Sequence, residues 1–137
     1  MPSLQPMAIL CSAGDFRHFQ SLSALASTCA GSNRQCHVLL SHEALYWFLM
    51  GDLSQTGSGY LTPWAEILEQ AREHERITDP LLLLGQARES GLLKVYGCSS
   101  SIAQARSYTS EQLRQLDGIV GHTTFLQWAS EWQLVVL

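Results

Sequence analysis

The side chains in this sequence with intrinsic nucleophilic chemistry are four cysteines, at positions 11, 29, 36 and 98. Cys98 has the most informative neighbours. It closes the apolar run Leu92-Leu-Lys-Val-Tyr-Gly97 and is followed by Ser99, Ser100 and Ser101. That pattern reads as a strand that hands a cysteine to the start of a helix. The free N–H groups and positive end of such a helix stabilise an anion, and a thiolate is an anion. The small serines leave those N–H groups approachable. The competing reading is a buried structural thiol, a common fate of free cysteine. His122 is the candidate imidazole partner. It opens a helix that leads into the last strand, so in a parallel sheet it lies at the same edge as Cys98. A solvated histidine beside a helix cap would leave the same trace. Cys11, at the end of the first strand, is a candidate resolving thiol if strands one and three are neighbours; otherwise it is core filler. Asp15 and His18 could join Cys11 and His122 around a metal, but the spacing is not diagnostic, and a helix cap for Asp15 and a solvated helix face for His18 are the simpler readings. Cys36 begins a strand and falls at the opposite edge, and Cys29 lies in the last turn of a helix.

The elements that must position these groups follow from apolar spacing. Met7–Cys11, Cys36–Leu40, Leu92–Gly97 and Trp132–Leu137 read as short buried strands. Helices are expected over Phe16–Cys29, from Ser41 through the apolar run Ala44–Met50, over Trp64–Glu75, from Pro80 to Glu89, over Ile102–Arg106, after the capping box Thr109–Gln112, and from His122 to about Glu131. Asp117–Gly121 reads as a turn or a short extended piece, and Asp52–Thr62 as a mobile surface loop or part of an interface. Helix Ala44–Met50 is apolar nearly all round, which calls for deep burial or a partner subunit. Strands alternating with helices predict one α/β domain over residues 1–137. The expected fold is a small open parallel sheet in a three-layer α/β/α sandwich of the flavodoxin-like kind.

Composition narrows the function further. The chain has 137 residues, 46% of them apolar and 15% charged, with a net charge of −4. A mildly acidic chain without a Lys/Arg cluster is a poor nucleic-acid binder. The sparse charge hints at self-association. The longest apolar runs fall far short of the ~20 residues needed to span a bilayer. The N-terminus lacks the basic segment of a secretory leader, so reduced thiols and a cytoplasmic location are expected. Gly-x-Gly-x-x-Gly, the P-loop, Gly-x-Ser-x-Gly and Cys-x-x-Cys are all missing. Dinucleotide, nucleotide-phosphate, serine-hydrolase and thioredoxin-type chemistries are therefore disfavoured.

In order along the chain, Ala8-Ile-Leu-Cys11, Leu92-Leu-Lys-Val-Tyr-Gly-Cys98, Leu116-Asp-Gly-Ile-Val-Gly121 and the terminal Trp132-Gln-Leu-Val-Val-Leu137 resemble the DsrE/DsrF-like superfamily, which includes the Tus-type sulfur-relay proteins. The resemblance implies a sulfur carrier or sulfurtransferase in which Cys98 holds sulfur as a persulfide and passes it to a protein partner. It also implies a homo-oligomer (trimer or hexamer), or a hetero-oligomer with related subunits, and no tightly bound organic cofactor. Some members of the superfamily lack the cysteine and serve as structural subunits. A non-catalytic assembly or regulatory subunit is thus one alternative. A metal-binding or peroxide-reactive thiol protein using Cys11, Cys98 and His122 is another.

Overall fold

A computed structural model describes residues 4–137; the first three residues, where the leader was sought, lie outside the described chain. Five strands form one parallel sheet: β1 (Met7–Cys11), β2 (Cys36–Leu40), β3 (Leu93–Cys98), β4 (Gly118–Val120) and β5 (Gln133–Val136). Seven helices accompany them: α1 (Phe16–Gly31), α2 (His42–Met50), α3 (Trp64–Glu73), α4 (Pro80–Glu89), α5 (Ser99–Ala105), α6 (Ser110–Leu113) and α7 (His122–Trp128). The α/β class and the open parallel sheet are as the sequence predicts. Among the described residues no helix is long and apolar enough to cross a membrane.

The strand order is β4-β3-β2-β1-β5. The arrangement that would have put the first and third strands side by side is not adopted, because β2 lies between them. The path explains how the layers fill. From β1 to β4 the chain steps in one direction, and right-handed crossovers then keep every connecting helix on one face. The step from β4 to β5 runs back across the whole sheet, so the same handedness sends α7 to the other face. Side chains alternate accordingly. Met7, Ile9, Cys11, Cys36, Val38, Leu40, Leu93 and Val95 enter the larger core with α1, α2 and α4. Ala8, Leu39 and Cys98 meet Phe125 and Ala129 in a smaller core associated with α7. One short helix cannot cover that face, and Leu134 and Val136 of β5 stay half or more exposed.

Strand β4 falls within Asp117–Gly121, which the sequence reads as a turn or a short extended piece. Asp117 sets its start: its N–H donates to the Val95 carbonyl (2.7 Å), and its carboxylate accepts from the Val95 N–H (2.7 Å) and from Arg88 (3.1 Å). Three residues then pair with β3, ending with Cys98 opposite Val120. The stretch 51–63 contains no helix or strand, but it is docked on the molecule. Leu53 is buried, and the carbonyls of Gly57 and Ser58 accept from the first N–H groups of α1, those of Phe16 and Arg17 (2.9 Å each). Gly59 makes this approach workable: its φ is +78°, and a Cβ there would stand 2.6 Å from Asp15 Cγ. Helix α2 buries Ala44, Leu45, Phe48 and Leu49 but leaves Tyr46 and Met50 partly in solvent.

Candidate functional site

In an open parallel sheet a crevice forms beyond the carboxyl ends of two neighbouring strands whose following connections depart to opposite faces. Here those strands are β3, followed by α5 on the larger-core side, and β4, followed by α7 on the other side. Cys98 ends β3 and caps α5, while His122 begins α7 directly after Gly121. The topology therefore brings the two sequence candidates together, with Cys98 Sγ 3.7 Å from His122 Nδ1.

The helix α5 starts earlier than its sequence suggests, immediately after Cys98 rather than at Ile102. As a result the serines form its first turn and surround the sulfur. Ser100 Oγ lies 3.1 Å from Cys98 Sγ. Burial pulls this thiol upward from its ordinary value of 9.0. Hydrogen bonds from the Ser100 hydroxyl, from the Ser101 N–H and hydroxyl and from the Ser100 N–H outweigh burial, and the net pKa is lowered. Ser101 is itself buried, and its Oγ accepts the His42 N–H at 3.0 Å. Ser101 thus ties the start of α2 to the turn that follows Cys98. His42 holds φ at +50°, a left-handed conformation that costs energy in a non-glycine residue. Nothing in the apolar pattern marks His42. The visible signal is its place, two residues beyond the end of β2 and so at the same sheet edge.

Cys98 departs from expectation in one respect. It has no exposed surface, which matches the competing reading of a buried thiol, whereas exchange with another protein's sulfur needs the thiol to be reached. Its cover comes from Ala8, Leu39, Phe125 and Ala129. The layer is shallow on the side of the crevice, since Ser99, Ser100 and His122 are all exposed.

Cys11 does not reach this site. It is two strands away from Cys98 and on the other face, buried at 1% exposure, with its thiol turned to the Ala13 carbonyl. The premise of a resolving role, adjacent strands, is not met. Burial, with the Asp15 charge second, pushes its thiol up to about 12, as far from a nucleophile as a cysteine becomes. Asp15 caps α1 through the His18 N–H (2.9 Å) and pairs with the His18 ring (2.5 Å). Among the described residues no group of three or more His, Cys, Asp and Glu side chains is arranged to hold a metal ion. The proposed grouping of Cys11, Asp15, His18 and His122 therefore does not assemble.

Fold and site together define a class: an open α/β protein with a stabilised thiol at its topological switch point. Comparison with known proteins found no family model and no curated protein that matches the chain.

Proposed function

We propose that this protein is a sulfur carrier of the DsrE/DsrF-like kind, which takes up sulfane sulfur as a persulfide on Cys98 and passes it to a protein partner. The observation that carries the reading is the Cys98 thiol at the topological switch point, with Ser100 Oγ 3.1 Å and His122 Nδ1 3.7 Å from its sulfur. Loading is an exchange at sulfur. The Cys98 thiolate attacks the outer sulfur of a donor persulfide, a new Sγ–S bond forms, the donor S–S bond breaks, and the donor leaves as a thiolate. Delivery repeats the step with an acceptor thiolate attacking the outer sulfur and Cys98 leaving. A persulfide is also anionic, so the same donors hold the loaded form, and the His122 imidazole at 3.7 Å is placed to interact with the added sulfur. Access requires the first turn of α7, or of α5, to move aside when a donor docks, because the resting thiol is covered.

The experiment is intact-protein mass spectrometry after incubation with a sulfane-sulfur donor. The wild type gains the mass of about one sulfur atom, and Cys98→Ser does not. Loading that survives Cys98→Ser overturns the reading. The covered thiol and the bare apolar stripe of Leu134 and Val136 favour a second reading, an assembly or regulatory subunit within a homo- or hetero-oligomer. In that case neither protein gains sulfur, and light scattering shows a mass above that of one chain.

A further inference from the structure

The opposite end of the sheet holds a second sulfur cluster that sulfur transfer does not use. Met7 and Cys36 are directly opposed in the β1–β2 register and enter the same core. Cys29, from the last turn of α1, is packed over them. Its Sγ lies 3.9 Å from Met7 Sδ, and it shares the larger core with Cys36. Three consecutive elements, β1, α1 and β2, thus contribute three buried sulfur atoms to one end of the core, with both thiols free.

We propose that Met7, Cys29 and Cys36 form a three-sulfur binding site for a soft monovalent metal ion, copper(I). Thiolate and thioether donors select copper(I) over harder ions. Metal–sulfur bonds of about 2.3 Å place the sulfurs of a trigonal set roughly 4 Å apart, and the Cys29–Met7 separation of 3.9 Å already matches. Zinc is a poor occupant, because it takes four ligands and no third His, Cys, Asp or Glu side chain joins this pair of thiols. Charge is also provided for. Copper(I) with two thiolates carries one net negative charge, and the Arg34 cation, two residues before Cys36, is held by the Gln5 carbonyl and the Gln133 amide oxygen. The Arg34 N–H also donates to the Cys29 carbonyl at 2.8 Å. Binding replaces two S–H bonds by two metal–thiolate bonds and releases both protons to solvent, with no change of oxidation state.

The test is an anaerobic titration of full-length Cys98→Ser with a copper(I)–acetonitrile complex, against bicinchoninate as competing chelator. Removing Cys98 separates this site from the sulfur-carrier reading. One ion is expected to be retained, Met7→Leu to weaken retention tenfold or more, and Cys36→Ser to abolish it. X-ray absorption on copper-loaded Cys98→Ser, with Met7, Cys29 and Cys36 intact, is expected to show three sulfur neighbours, a readout that holds even if Cys36→Ser fails to fold. Failure to compete with the chelator, retention indifferent to Met7→Leu and Cys36→Ser, or a metal with fewer than three sulfur neighbours overturns the proposal.

Discussion

Cys98 and His122 face each other across the carboxyl ends of β3 and β4, with Sγ and Nδ1 3.7 Å apart although 24 residues separate them in sequence. Handedness produces this meeting: the return step to β5 forces α7 to the opposite face from α5, and the crevice opens between their first turns. His122→Ala is expected to slow alkylation of Cys98 severalfold at neutral pH. Stability should change by no more than about 0.5 kcal/mol, because the ring is exposed. Stopped-flow alkylation with a thermal melt checks both. An unchanged rate would make His122 a bystander.

The serine turn predicts a pH profile. The Cys98 thiolate is favoured, so alkylation should reach half its plateau rate below pH 9.0, the ordinary thiol value. Ser100→Ala removes the hydroxyl 3.1 Å from the sulfur and should move that midpoint upward. Ser101→Ala should move it upward too and also destabilise the fold, by about 1–3 kcal/mol, since the His42 N–H loses its acceptor. A midpoint at or above 9.0 in the wild type would contradict the hydrogen-bond account.

Much of this arrangement is legible in the sequence, and the exceptions have physical causes. Apolar runs and caps locate β1, β2, α1 and α4 to within a few residues, because each buries an unbroken face and Asp15 and Asp79 mark the helix starts. The capping box at Thr109 forms as read. The edge strand β4 is legible only as a turn or a short extended piece, because three residues, one of them glycine, carry no periodicity; the bonds of Asp117 to Val95 define it, and they join distant parts of the chain. Strand order is set by packing between elements, so the position of β2 between β1 and β3, and with it the isolation of Cys11, had no local signal. Cys98 and His122 could be placed at one edge from strand direction alone, whereas the burial of Cys98 depends on Phe125 and Ala129 of α7.

The docked loop rests on Gly59. A side chain there would need φ of +78° and would stand 2.6 Å from the Asp15 carboxyl carbon. Gly59→Ala is therefore expected to cost about 1–3 kcal/mol and to release the loop from the start of α1. Hydrogen exchange should show the Phe16 and Arg17 amides, which donate to Gly57 and Ser58, losing protection. Full protection in the variant would mean that the loop holds by other contacts.

Cys11 predicts how the fold fails in alkali. Its thiol is held neutral to about 12 by burial and then by the Asp15 charge, against 9.0 for the ordinary group. A raised folded value means that the unfolded chain loses the proton first. The contribution of Cys11 is thus complete below about pH 9 and is lost as pH rises towards 12, at roughly 1.4 kcal/mol per unit. Cys11→Ala should lower stability at pH 7, because it leaves a small cavity in a core site of 1% exposure. The same variant should lose stability less steeply than the wild type between pH 9 and 11. Urea unfolding at several pH values checks the difference, and parallel slopes for the two proteins would mean that Cys11 ionises in the folded state as readily as in the unfolded chain.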